Sequence, residues 1–438
     1  MNQSTQSAQF LRTHWVFLGL LALALQLASC RNDDDPPALT DASAYPADVV
    51  TSWLNLQLRL TQAAPASQPV MARRFAYAGL ALYESIVPGL TRYQSLAPQL
   101  SGLGTLPAPE PNARYHWPAS ANAAMAAMSR SLFPAASTPA GKAAVDSLEA
   151  ANTARYRADQ SAEDLVRSAE FGKKIATAIF DWSKTDGYDN ATPFVPPVGV
   201  GMWVPTPPAF APPALPNWGK LRPFATGSDA GTDQAPPVAY SEDPASAYYA
   251  QAKEVYEISQ NLTAEQRTIA QFWPDHLWHG VLSQVLAKEK PDLDKAAVAF
   301  AQLGMAMSDA AVALFKSKYR HTGVRPVTYI RAVMKQPTWN TVIATPAHPE
   351  FPSGHSVMSA AAAETLTQLF GANYKYTDKP FNLPAFAPRS FDSFGEAAIE
   401  AGTSRVYAGI HYRKTCEVSL EQGKRIGRNV AQTLKFKR

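Results

Sequence analysis

The sequence predicts a mainly α-helical protein whose helices bury against one another. Three observations lead there. Apolar residues recur three and four positions apart along most of the chain. Alternating apolar–polar runs of the strand kind are scarce. The one long interruption is rich in proline rather than in β-branched residues. The chain has 438 residues, 46% apolar and 17% charged, which is enough for a sizeable core. A net charge of +4, with no basic run interleaved with aromatics, argues against a nucleic-acid partner.

The N-terminus comes first. Arg12 precedes an apolar run from Trp15 to Ala28. That run falls short of the roughly 20 residues a membrane span needs and fits the apolar core of an export signal. Its end, "LASC", looks like a bacterial lipobox, with Cys30 as the lipidated first residue of the mature chain. A plain secretory signal that happens to contain a cysteine is the alternative. Residues 1–30 are therefore expected as a lipoprotein signal peptide and residues 31–44, "RNDDDPPALTDASA", as a flexible tether. The lipid anchor would be the protein's contact with a membrane. No Asp directly follows Cys30, which favours the outer membrane, facing the periplasm or the cell surface. The other cysteine, Cys416, then has no partner, so core packing must hold residues 45–438 together as one unit.

Helical periodicity runs through "ADVVTSWLNLQLRLTQAA", "VMARRFAYAGLALYESIV" and "AEDLVRSAEFGKKIATAIFDWSK". It continues in "EQRTIAQFWPDHLWHGVLSQVLAKEK", "DKAAVAFAQLGMAMSDAAVALFKSKY", "SVMSAAAAETLTQLFG" and "SLEQGKRIGRNVAQTLKF". Between these groups, residues 192–240 hold twelve of the 36 prolines, a density that forbids helix. The same stretch carries Met202, Trp203, Phe210, Trp218 and Phe224, unlike a solvated linker. It is expected to be an ordered loop over the helices, forming one wall of a pocket.

Three segments carry candidate chemistry. In "KSKYRHTGVRPVTYIR", Lys318 and Arg325 lie seven apart, nearly one helical face, where Gly323 and Pro326 loosen the helix. Two cations converging on one point can hold the oxygens of an oxyanion; a solvated basic surface is the plain alternative. In "HPEFPSGHS", Pro352 marks a helix start, with Ser353 and the N–H groups of Gly354 and His355 pointing beyond it. A helix N-terminus holds anions through its free donors and partial positive charge. The alternative is a Ser-capped helix with a surface histidine. In "SRVYAGIHYRKTCE", Arg405 and His411 belong to different helical faces unless Gly409 breaks the helix and lets them meet.

Taken together, Lys318-x6-Arg325-Pro326, Pro352-Ser353-Gly354-His355 and Ser404-Arg405-x5-His411 resemble the vanadium-dependent haloperoxidase and type 2 phosphatidic acid phosphatase superfamily. The gaps of 25 residues between Pro326 and Pro352, and of 48 between His355 and Ser404, suit it. Upstream, "RRFAYAGLALYESI" and the Trp/Pro-rich loop resemble bacterial secreted haloperoxidase-like proteins. The resemblance implies two packed helical bundles, vanadium chloroperoxidase-like, with the active-site motifs in residues 318–415.

For the residues, the resemblance implies a site for vanadate, with phosphate competing. Lys318, Arg325 and Arg405 would neutralise the oxygens. Ser353 and Gly354 would donate hydrogen bonds, and His411 would be the direct ligand of the metal. His355 would be the acid–base, and Lys318 would join it and His411 as a catalytic group. Hydrogen peroxide, a halide and a small organic acceptor would be the partners. A periplasmic acid phosphatase working through a phosphohistidine at His411 is the second reading. In the phosphatase pattern an Asp stands four residues after the last histidine, and here that residue is Thr415; Glu417 is the expected substitute. The missing Asp and the length of residues 31–438 favour haloperoxidase. His348 stands where bromoperoxidases of the family carry histidine, which favours bromide or iodide over chloride; a plain loop histidine is the alternative. His276 and His279 are expected to line the pocket or pack on Trp273 and Trp278, and Asp275 to pair with an active-site arginine. Cys416 is expected in the core.

Overall fold

The computed structural model describes residues 41–380 and 382–438. The export-signal run, Cys30 and residues 31–40 of the expected tether lie outside the described residues. Residues 41–44, assigned to that tether, are structured: Ala42–Ala44 form a 3-10 turn whose start is capped by the Asp41 carboxylate, 2.8 Å from the Ser43 N–H. The described parts of residues 40–109 and 115–438 cluster as one compact unit, outside which residues 110–114 form a short turn.

The helical expectation holds, with 13 α-helices and two short strands among the described residues. α1 is Asp48–Ala63, α2 Gln68–Glu84, α3 Trp117–Leu132, α4 Pro139–Tyr156 and α5 Ala162–Ser183. After the proline-rich loop come α6 Ala247–Gln260, α7 Ala264–Phe272, α8 Trp278–Glu289 and α9 Leu293–His321. The chain ends with α10 Pro326–Ala332, α11 Gly354–Phe370, α12 Phe394–Tyr407 and α13 Arg413–Thr433. β1, Tyr376–Asp378, pairs antiparallel with β2, Arg389–Phe391, with Tyr376 opposite Phe391.

One helix joins the two bundles. α9 spans 29 residues, roughly 43 Å at about 1.5 Å per residue. It packs on α2 of the first bundle and on α11 and α13 of the second. By length and composition α9 could cross a membrane, yet its apolar window is entirely buried inside the protein. Against α2 the approach is backbone to backbone. A Cβ on Gly79 would sit 2.8 Å from Ala301 Cα, and one on Gly304 would sit 2.8 Å from Ala76 Cα. Glycine at both positions is what lets these helices close on one another.

The proline-rich segment is an ordered loop, as its aromatics required. Trp203, Trp218 and Phe224 are buried, whereas Phe210 is exposed. Its backbone donors find partners on the helices. Trp203 N–H donates to Thr322 O at 2.7 Å, and Ala214 N–H to Ala347 O at 2.7 Å. The buried Asp309 carboxylate of α9 accepts from Phe224 N–H at 2.7 Å and Ala225 N–H at 2.9 Å. Through Ala214 and Leu215 this loop supplies part of the wall of a cavity of about 480 Å³.

His279, on α8, is a core residue. It stacks on Phe75 with centroids 4.1 Å apart, its Nε2 has no hydrogen-bond partner, and burial pushes its pKa down to about 3. Below about pH 6.5 the unfolded chain takes up a proton here that the folded chain refuses. Stability is therefore full above that pH and falls as pH drops toward about 3. We expect His279→Phe to flatten part of this acid limb, read as a smaller gap between denaturant midpoints at pH 7 and pH 4.

Candidate active site

The three sequence segments meet at the C-terminal end of α9. Lys318 occupies its last turn, and Thr322, in the left-handed region at φ 48°, closes it through its N–H to Lys318 O at 2.9 Å. Arg325 is the N-cap residue of α10, so the two cations stand on two elements and not along one helical face. α11 begins at Gly354, with Ser353 as N-cap and Pro352 before it, so this proline is outside the helix. Ser353 does not cap through its side chain: its Oγ accepts from Ser356 Oγ at 2.8 Å, and its N–H donates to Ser419 Oγ at 2.9 Å. The N–H groups of Gly354 and His355 lie in the first turn, where no intrahelical carbonyl is available. α12 stops at Tyr407, and Gly409 at φ 79° turns the chain, leaving the Arg405 charge near enough to act on His411 through its field.

Lys318, Arg325, Arg405, Ser353 and His411 are all buried, and His348, Gly354 and His355 are half-buried. Lys318 Nζ donates to three carbonyls of one loop, Pro349 at 2.7 Å, Glu350 at 3.1 Å and Pro352 by a short bond. Arg325 donates to the carbonyls of His348 at 2.9 Å and Ile410 at 2.8 Å. Arg405 donates to Ala270 O at 3.2 Å and Ser404 Oγ at 3.1 Å. Carbonyl dipoles thus hold the cations in place, and the Glu350 carboxylate acts on Lys318 and Arg325 through its field. Burial, and then the Arg325 charge, hold Lys318 well below the usual lysine range. Burial first brings Arg325 and Arg405 down to about 10.

Two histidine tautomers follow from Arg325. A guanidinium only donates. Its Nη1 lies 3.1 Å from His411 Nε2 and its Nη2 lies 3.0 Å from His348 Nδ1, so those two nitrogens are the unprotonated ones. His411 carries its proton on Nδ1, which donates to Glu350 Oε1 at 2.9 Å. His348 carries its proton on Nε2. His411 itself is driven well below the usual histidine range, by burial first and then by Arg325 and Lys318.

The carboxylate behind His411 is the correction to the sequence reading. Thr415 does replace the expected Asp, but Glu417 does not stand in for it: Glu417 is exposed and pairs with Lys414 at 2.7 Å. The stand-in is Glu350, from the "HPEFPSGH" loop itself. Besides His411, its carboxylate accepts from Tyr412 N–H at 3.2 Å and from Thr415 Oγ1 at 3.1 Å. Thr415 therefore supports the carboxylate that its own position lacks. The available signal was a glutamate between two prolines in the loop that leads into α11, a residue too costly to bury without partners.

The 480 Å³ cavity opens beside this cluster, lined by His348, Gly354, His355 and His411. Trp273, Trp278 and Phe315 give it aromatic walls. His355 Nε2 is 3.3 Å from Pro274 O, which makes Nδ1 the basic nitrogen. Burial and then Arg405 push its pKa down to about 3. His276 also lines the cavity and pairs with the buried Asp378 at 2.6 Å, a contact the sequence did not disclose. Asp275 lines it too and acts on Arg405 through its field. His321 turns away to Asp233 at 3.1 Å. Cys416 is buried in the core, its thiol pushed up to about 12 by burial.

Residues 298–437 match the family model described as the VCPO second helical-bundle domain. The structure described as the first bacterial vanadium-dependent iodoperoxidase is 31% identical, with a TM-score of 0.81, over 90% of this chain and 97% of that one. The chain belongs to the vanadium-dependent haloperoxidase family. An apo-type bacterial vanadium-dependent chloroperoxidase shares the fold at 17% identity and a TM-score of 0.67, over 85% of this chain and 94% of that one. The holo-type structure does so at 16% and 0.62, over 85% of this chain and 93% of that one. No curated protein matches the sequence.

The donor set of this haloperoxidase fold fits an oxyanion such as vanadate. Cations surround a helix N-terminus and one neutral imidazole nitrogen. Among the described residues no cluster of three or more His, Cys, Asp or Glu would hold a bare metal cation. Orthovanadate and inorganic phosphate should both raise the melting temperature, by about 2.7 kcal/mol of stabilisation at one hundred times Kd. Arg325→Ala should remove most of that gain, measured by thermal denaturation across a titration of each anion. A gain that survives in the variant would place the anion elsewhere.

Proposed function

We propose that the protein is a vanadate-dependent haloperoxidase that oxidises bromide or iodide with hydrogen peroxide to hypohalous acid, which then halogenates a small organic acceptor. The single observation that carries this reading is His411. Its imidazole is fixed with Nδ1–H on Glu350 and a lone pair at Nε2, inside a buried cation cluster at the wall of the cavity. The 31% identity to an iodoperoxidase supports the same chemistry.

Bound vanadate would act as a Lewis acid that polarises peroxide toward attack by halide. The chain's own residues do the rest. His411 Nε2 would hold the vanadate, and Arg325 Nη1, which now donates to that nitrogen, would donate to an oxygen of the anion instead. Lys318, Arg325 and Arg405 neutralise the oxygens, and Ser353 and the Gly354 N–H donate to them. His355 takes the peroxide proton. In the anion-free site burial and neighbouring cations hold it neutral. An anion cancels the cationic part of that field and raises its basicity when it is needed. His348, with its proton on Nε2 and its ring on the cavity wall, supports a contact to the halide and so bromide or iodide. The apolar run from Trp15 to Ala28 and the "LASC" that ends it support a reaction outside the cytoplasm, on a lipid anchor at Cys30.

A second reading has one observation in its favour. Glu350 supplies behind His411 the carboxylate that a phosphohistidine mechanism uses, so Thr415 no longer argues against a phosphatase. Bromination and iodination of a dye should be followed with purified protein, peroxide and halide, with and without orthovanadate, beside phosphomonoester hydrolysis. The expected result is vanadate-dependent halogenation, abolished in His411→Ala and lowered about 100-fold or more in Arg405→Ala. Phosphate release that vanadate suppresses, without halogenation, would replace this reading with the phosphatase.

A further inference from the structure

Three methionines line the cavity that would generate hypohalous acid. Met358, Met307 and Met71 all contribute to its wall, beside Leu314 and Phe315. Met358 follows His355 by three residues on α11, so the two side chains share one helical face. Met307 reaches the same space from α9 and Met71 from α2. Their residual exposures are only 4%, 2% and 8%. Met202 and Met334 are half-buried and belong to other surroundings. Met125, Met128 and Met305 are fully buried away from the cavity.

A methionine thioether is soft, polarizable and readily taken to the sulfoxide. We propose that Met358, and beyond it Met307 and Met71, form a sulfoxidation site for the oxidised halogen made in this cavity; the proposal rests on the haloperoxidase reading. The step balances with reagents that reading supplies. The sulfur lone pair attacks the halogen of hypohalous acid, forming S–X as O–X breaks and hydroxide leaves. Water then attacks sulfur, S–X breaks, and halide departs with the bonding pair. Of the two protons lost from water, one neutralises the hydroxide and one goes to solvent. Sulfur is oxidised by two electrons and the halogen is reduced by two, back to halide. Each sulfoxide puts a polar oxygen into a wall that Trp273, Trp278 and Phe315 also line, so an organic acceptor competes with these thioethers for the oxidant and protects that wall.

The test reads the position of oxygen gain, not only activity. The vanadate-loaded protein is given peroxide with bromide, and in parallel with iodide, without an organic acceptor. Samples quenched over time are analysed by peptide mass spectrometry. A second sample receives peroxide without halide, and a third receives reagent hypobromous acid from outside. Turnover should add oxygen to Met358 first, then to Met307 and Met71, ahead of Met202 and Met334. The external reagent should reverse that order, and peroxide alone should leave the cavity thioethers unoxidised. Met358→Leu should lengthen the time over which halogenation persists. Halide oxidation with no cavity sulfoxide, or with the order the external reagent gives, would overturn the proposal and leave the haloperoxidase reading intact. No halide oxidation at all would overturn both.

Discussion

A buried clamp on one imidazole governs the site. Glu350 holds His411 from behind, Arg325 holds it from in front, and the two contacts at 2.9 and 3.1 Å leave one tautomer. Neither ion would survive burial alone. A carboxylate taken out of water without partners protonates, and burial pushes Glu350 up, to about 7 even with its partners in place. What opposes that is the company it keeps: Arg325 and Lys318 in field, and Tyr412 and Thr415 by hydrogen bond. Glu350 acts on Lys318 and Arg325, while Arg405 has only the exposed Asp275 carboxylate in its field, which leaves the cluster open to an anion. Binding of an oxyanion there would neutralise part of that charge, so oxyanion affinity and the stability of the folded site should rise together.

The architecture serves that clamp. α9 is long and mostly apolar, packs on α2, α11 and α13, and brings Lys318 to the site in its last turn. The loop between Arg325 and α11 folds its carbonyls onto Lys318 and Arg325, so backbone fixes the cations without spending other side chains on them. The proline-rich segment closes one side of the cavity with backbone bonds to the loop at Ala347 and to Thr322, which keeps the wall close to the chemistry. A site built this way depends on dipoles that do not reorganise during reaction, which is the economical way to stabilise developing charge.

Most of the fold was legible because burial in a helical protein repeats with the helical period. The segment "DKAAVAFAQLGMAMSDAAVALFKSKY" reads as a core helix and is one. The aromatics of the proline-rich stretch likewise reported its order, although Phe210 points outward. The candidate residues were legible because their types and spacing are chemically specific. What the sequence hid was set by turns and by pairings far apart in the chain. Lys318 and Arg325 looked like one helical face because periodicity does not show that Thr322 leaves the helix in a left-handed conformation. Glu350 and His411 are 61 residues apart, and the local search for a carboxylate near Thr415 led to Glu417, which faces solvent. The bond between His276 and Asp378 spans 102 residues and has no local trace at all.

The most direct test of this account moves the carboxylate. Orthovanadate dissociation constants should be measured for the parent protein, Glu350→Gln, and the double variant Glu350→Gln with Thr415→Asp, alongside thermal stability for each. Loss of the partner behind a ligand histidine should weaken binding by about 10–100-fold. Restoring a carboxylate from position 415, on the same side of His411, should recover a large part of that loss without a matching change in melting temperature. Unchanged vanadate affinity in Glu350→Gln would contradict the account, because the orientation of His411 would then owe nothing to the buried carboxylate.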